Sequence, residues 1–154
     1  YTPNDADFEM RQWLGHEHEF YAQAEGELGV RLEHSVEQAF ERGAKPVFCI
    51  GGDCPKLDQR HFEEATAALE QDCDVVFGPT EDGGYYLIGL NAPQPERFQE
   101  IPWSSRNTLD TSLLKAARLG LRVKRLETLY DIDEITELQR AFDDGRLSPE
   151  IMEH

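Results

Sequence analysis

Residues 46–55 read PVFCIGGDCP, and the fold is decided there. PVFCI (46–50) is short, wholly apolar and closed by Gly51-Gly52, the pattern of a strand buried on both faces. Upstream, Gly26 to Arg42 places Leu28, Leu32, Val36, Ala39 and Phe40 at helical spacing, and Gly43 ends that helix. Downstream, Asp58 opens a second helix, with Phe62, Ala65, Thr66 and Leu69 on one side. Another apolar run, Val75-Val76-Phe77, stops at Gly78-Pro79, and after TEDGG (80–84) comes YYLIGL.

The outer parts continue the alternation. Asn4 to Gly15 reads as a short helix, and Thr108 to Leu119 as another that stops at Gly120. LRVKRLETL is more polar and suits an edge strand, and Asp133 opens a last helix bearing Ile135, Leu138 and Phe142. Alternating helices and buried strands imply an α/β sandwich with a mainly parallel sheet. No linker, repeat or low-complexity tract divides the chain, so 1–154 reads as one domain. Ligands of such sheets sit beyond the carboxyl ends of the strands, and that rule selects the candidate residues.

Composition narrows the function. With 15 basic and 31 acidic residues the net charge is -16, a field that repels nucleic-acid backbones. No run approaches the ~20 apolar residues of a membrane span. Cys49, Cys54 and Cys73 form no CxxC pair and leave an odd thiol. That usage, with no charged-then-apolar leader at the start, points to a reducing, cytoplasmic setting.

Three strand ends carry the chemistry. Gly51-Gly52 lets a ligand approach the backbone, and Asp53 then offers a carboxylate to a hard divalent cation or serves as a turn cap. In Glu81-Asp82-Gly83-Gly84-Tyr85-Tyr86, Asp-Gly is an ordinary hairpin signal. The same loop supplies two carboxylates, two glycines and two aromatic rings to a sugar or base. Asp131 and Asp133 alternate onto one side if the strand persists, although Asp133 is also a good helix N-cap. Trp103 and Ser104 can close a pocket or form a packed turn. Cys54 reads as a packed thiol, His16 and His18 as surface histidines, and His61 as solvent-facing.

IGGDCPKL, GPTEDGGYYLIGL, IPWSSRNTLDTSL and LYDIDEITEL, in that order, resemble the glycosyltransferase-A-like proteins of the DUF2064 group. AQAEGELGVRLEHSVEQAF is similar to the family segment that leads into its second helix, and the likeness runs from about Tyr1 to Leu138. These proteins are related to nucleotide-diphospho-sugar transferases and to the guanylyltransferases of molybdenum-cofactor and coenzyme F420 synthesis. The resemblance implies a Rossmann-like, nucleotide-diphospho-sugar-transferase-type fold. It implies Mg²⁺ or Mn²⁺ held by Asp53, Asp131 and Asp133, with Asp53 and Asp82 as catalytic groups. The sugar or acceptor would then lie against Glu81, Gly83, Gly84, Tyr85, Trp103 and Ser104.

Family members begin with a strand and a Gly-rich, Lys- and Arg-bearing loop that has no counterpart in this chain. The expected form is therefore N-terminally truncated relative to the family. The expected activity is a metal-dependent transfer from a nucleotide-activated sugar to a small acceptor, or formation of a nucleotide diphosphate product. The alternative is a non-catalytic relative retained for binding or assembly, because an acidic pocket without cations repels a nucleotide. Absence of the family's first strand would leave an apolar face of Val47, Cys49, Val75 and Phe77 open, which favours a homodimer.

Overall fold

A computed structural model of the chain describes residues 1, 3 and 5–147. The order is α1 (Asp7–Leu14), α2 (Leu28–Glu41), β1 (Val47–Ile50), α3 (Gln59–Gln71), β2 (Val75–Pro79), β3 (Tyr85–Leu90), α4 (Thr108–Arg118), β4 (Val123–Arg125) and α5 (Ile135–Asp143). A 3₁₀ turn at Pro95–Phe98 lies between β3 and α4. Every expected element is present, with Asn4, the expected start of the first helix, outside the described residues.

The sheet corrects the expected strand directions. Its order is β1-β3-β2-β4, and only β2 and β4 pair in parallel; β3 runs antiparallel to both neighbours. The cause is the length of TEDGG. A parallel connection needs a dozen or more residues to cross over, so five residues can only turn the chain back as a hairpin. The fold is thus α/β with a four-stranded mixed sheet among the described residues, and β1 lies at its edge, so PVFCI is not buried on both faces as expected: Val47 is buried, Phe48 and Cys49 are half-buried and Ile50 is exposed.

Strand alternation divides the core in two. Val47, Val75, Phe77, Ile88 and Leu90 face α2 and α4, packing with Val36, Leu109 and Ala116. Val76, Tyr86 and Leu87 face the other way, against Ala65 and Leu69 of α3. Complete burial of each large aliphatic or aromatic side chain contributes about 1.5–3 kcal/mol. The apolar face expected to lie open is covered: Val47, Val75 and Phe77 are buried and Cys49 is half-buried, because α2 and α4 lie across it. Among the described residues no strand pairs with the outer edge of β1, where Ile50 is 55% exposed.

Two helix starts bear on the site. Asp58 caps α3, accepting from the Arg60 amide at 3.0 Å, while the Asp58 amide donates to His61 Nδ1 at 3.1 Å. His61 is therefore not solvent-facing as expected. It is 4% exposed, with Nε2 2.9 Å from Glu127 Oε1. The last helix is capped by Glu134 through a capping box with Glu137, not by Asp133. That shift by one residue relieves the Asp133 carboxylate of a capping role.

Candidate functional site

At the carboxyl ends of β1 and β2 lies a cavity of about 330 Å³. Asp53, Thr80, Asp82, Gly84 and Asp131 form its polar side, and Leu28, Leu32, Ile50, Tyr85 and Trp103 its apolar side. None of its lining residues is basic.

The hairpin loop fixes Asp82. The Thr80 hydroxyl donates to Asp82 Oδ1 at 2.5 Å and the Gly84 amide to the same oxygen at 2.8 Å. Both bonds fall on one oxygen, which leaves Oδ2 for a ligand. The loop cannot carry larger residues. Gly83 has φ +95, and a Cβ there would lie 2.2 Å from the Arg106 carbonyl oxygen. A Cβ on Gly84 would lie 2.9 Å from Thr80 Oγ1. Gly83 also ties the loop to α4, its carbonyl accepting from the Leu109 amide at 2.9 Å.

The segment after β4 is clamped between two strand ends. Leu129 bridges Thr80 in parallel, the Glu81 amide donates to Leu129 O at 2.9 Å, and the Ile132 amide donates to Asp53 O at 3.0 Å. These bonds carry Asp131 and Asp133 to the hairpin loop. One carboxylate oxygen from each of Asp82, Asp131 and Asp133 lies within 4.8 Å of the other two. Hard oxygen donors at that separation suit a hard divalent cation. Asp131 is half-buried and the other two are exposed. Burial raises the pKa of Asp131, and the charges of Asp82, Asp133 and Asp53 raise it further.

Asp53 stands outside this trio but lines the same cavity as Asp82 and Asp131. Asp133 joins the trio without lining the cavity. Glu81 turns away and pairs with Arg140 at 2.8 Å, which lowers its pKa. The Tyr85 ring meets Trp103 at 6.2 Å, and Trp103 stacks on Phe98 at 6.5 Å, so the rings make a wall. Ser104 is held at φ 54 on the rim, a conformation uncommon outside glycine. Burial pushes the Cys49 thiol up to about 11 and also raises Cys54, which fits packed thiols rather than nucleophiles. His16 and His18 are exposed.

Reading the sequence missed Thr80, which orients Asp82, and the part of Leu28 and Leu32 in lining the cavity. Their helical spacing marks an apolar face. It does not say that one end of that face overhangs a cleft.

None of the curated proteins matches the chain. A solved protein from Desulfovibrio desulfuricans G20, named as a candidate nucleotide-diphospho-sugar transferase, is 32% identical with a TM-score of 0.87. The match covers 97% of this chain but only 66% of that one, so the chain spans just under two thirds of its neighbour's length. The family model described as "uncharacterized protein conserved in bacteria (DUF2064)" matches residues 1–105. On that match, over the two thirds of the chain that hold β1, the hairpin loop and Trp103, the chain belongs to the DUF2064 family.

Proposed function

We propose that this domain serves a divalent-metal-dependent transferase that uses a nucleotide-activated sugar or forms a nucleotide diphosphate product. The observation that carries the reading is the convergence of Asp82, Asp131 and Asp133 within 4.8 Å, beside Asp53, at strand ends of a transferase-like fold. Asp82, Asp131 and Asp133 would hold Mg²⁺ or Mn²⁺, with Asp53 adjacent. The cation, when bound, supplies charge neutralisation to a diphosphate. Asp82 keeps one oxygen occupied by Thr80 and Gly84, and the other accepts no hydrogen bond from the described residues. The rings of Tyr85 and Trp103 and the side chains of Leu28 and Leu32 offer an apolar surface to a base or sugar face and exclude water from that side.

A second reading has its own observation. Because no lining residue is basic, the only charged side chains that a nucleotide diphosphate meets there are carboxylates, unless a cation comes with it. At an effective dielectric near 20, two like charges 4 Å apart repel by about 4 kcal/mol. A domain that binds no cation would therefore be a non-catalytic binding or assembly module. Incubation with a panel of nucleotide sugars and Mn²⁺, scored by release of the nucleotide product, separates the two. Cation-dependent release that falls in Asp82→Asn and Asp131→Asn supports the transferase; absence of both release and nucleotide-sugar binding supports the module.

A further inference from the structure

A second cavity, of about 170 Å³, differs from the acidic cleft in having basic residues in its lining. Lys56, Arg60, Arg140 and Arg146 all line it. In a chain with only 15 basic residues and a net charge of -16, four cations around one small cavity is a marked concentration. Two carboxylates, Glu81 and Glu127, also line it, but each has a partner: Glu81 receives both terminal nitrogens of Arg140, at 2.8 and 3.0 Å, and Glu127 meets His61. Asp58 and Asp144, which pair with Arg60 and Lys56, are outside the lining. Arg146 has no ion-pair partner among the described residues.

The cations are also held in place. The Arg140 guanidinium lies 4.0 Å from the centroid of the Tyr130 ring, and Lys56 Nζ lies 5.2 Å from it. Tyr130 is buried, and its hydroxyl donates to Asp144 at 3.1 Å. Rings so fixed orient guanidinium groups at small entropic cost, and guanidinium geometry matches phosphate oxygens.

We propose that this cavity is a binding site for a phosphoryl dianion, either free phosphate or the phosphate of a small metabolite. It shares no lining residue with the acidic cavity and does not depend on the transferase reading. The two are neighbours through the chain, since Glu81 and Tyr130 face the basic cavity while Asp82 and Asp131 face the acidic one.

Calorimetric titration of the full chain with inorganic phosphate, and in a second arm with a hexose phosphate, tests the site. Saturable binding is expected, weakened by about tenfold in Arg146→Gln, the loss typical of one charge-assisted hydrogen bond. Asp131→Asn, in the acidic cavity, is expected not to weaken it. Tighter binding of the hexose phosphate assigns the site to a phosphorylated metabolite, and equal binding assigns it to the free anion. Arg140→Gln serves as a second variant, with its fold checked by circular dichroism. Absence of saturable binding in both arms, or equal binding by wild type and Arg146→Gln, overturns the proposal.

Discussion

Asp131→Asn is expected to make the metal-free protein more stable, the reverse of most substitutions. Asp131 is the half-buried member of a trio whose carboxylate oxygens lie within 4.8 Å of one another. At that distance a like-charge pair repels by about 0.9 kcal/mol in water and about 3.5 kcal/mol at an effective dielectric of 20. Asp82 and Asp133 are exposed, so the lower figure governs each pair, and salt reduces it further. Removal of one charge from two such pairs gives about 1–2 kcal/mol. For a domain of this length each kcal/mol moves Tm by about 2–4 °C, so a rise of roughly 2–8 °C is expected.

The sign with pH follows from the raised pKa of Asp131. The folded state holds this proton to higher pH than the unfolded chain does, so stability falls as pH rises through that window. Wild type and variant should therefore differ at neutral pH, converge in the carboxylate range, and differ less at high salt. Differential scanning calorimetry in chelator across pH and salt reads all three effects. A variant that melts at or below the wild-type temperature at neutral pH would refute the electrostatic account of the trio.

Three further outcomes are expected. Gly83→Ala should destabilise by about 1–3 kcal/mol, from a left-handed backbone and a collision with the Arg106 carbonyl, read as a lower urea midpoint. Leu90→Ala, at a fully buried position of β3, should cost about 2–5 kcal/mol by the same measurement. The open edge of β1 is expected to pair two copies, so light scattering should give twice 17.6 kDa, and a monomer at high concentration would exclude that pairing.

Much of the fold was legible because a short apolar run closed by turn residues marks a strand, whether it is buried on both faces like VVF or lies at the edge like PVFCI, where only Val47 is buried. PVFCI, VVF and YYLIGL are apolar without alternation, and each forms a strand of the sheet interior or its β1 edge. Strand direction was not legible from that alternation of elements, but the five residues of TEDGG contained it. The site was legible as a set of strand-end carboxylates. Its internal arrangement was not, because it depends on a bond between parts distant in sequence, the Ile132 amide on Asp53 O, and on Glu134 rather than Asp133 capping α5. The burial of His61 was hidden for a similar reason: its partner Glu127 is 66 residues away.

The proposed divalent-cation site rests on the carboxylates of Asp82, Asp131 and Asp133 acting together. Electron paramagnetic resonance of free Mn²⁺ during titration with the protein measures this directly. One Mn²⁺ per chain should leave the free signal, Mg²⁺ should restore it by competition, and Asp82→Asn and Asp131→Asn should each weaken binding by about tenfold or more. Undiminished binding in both variants, or no binding by the wild type, would contradict the claim.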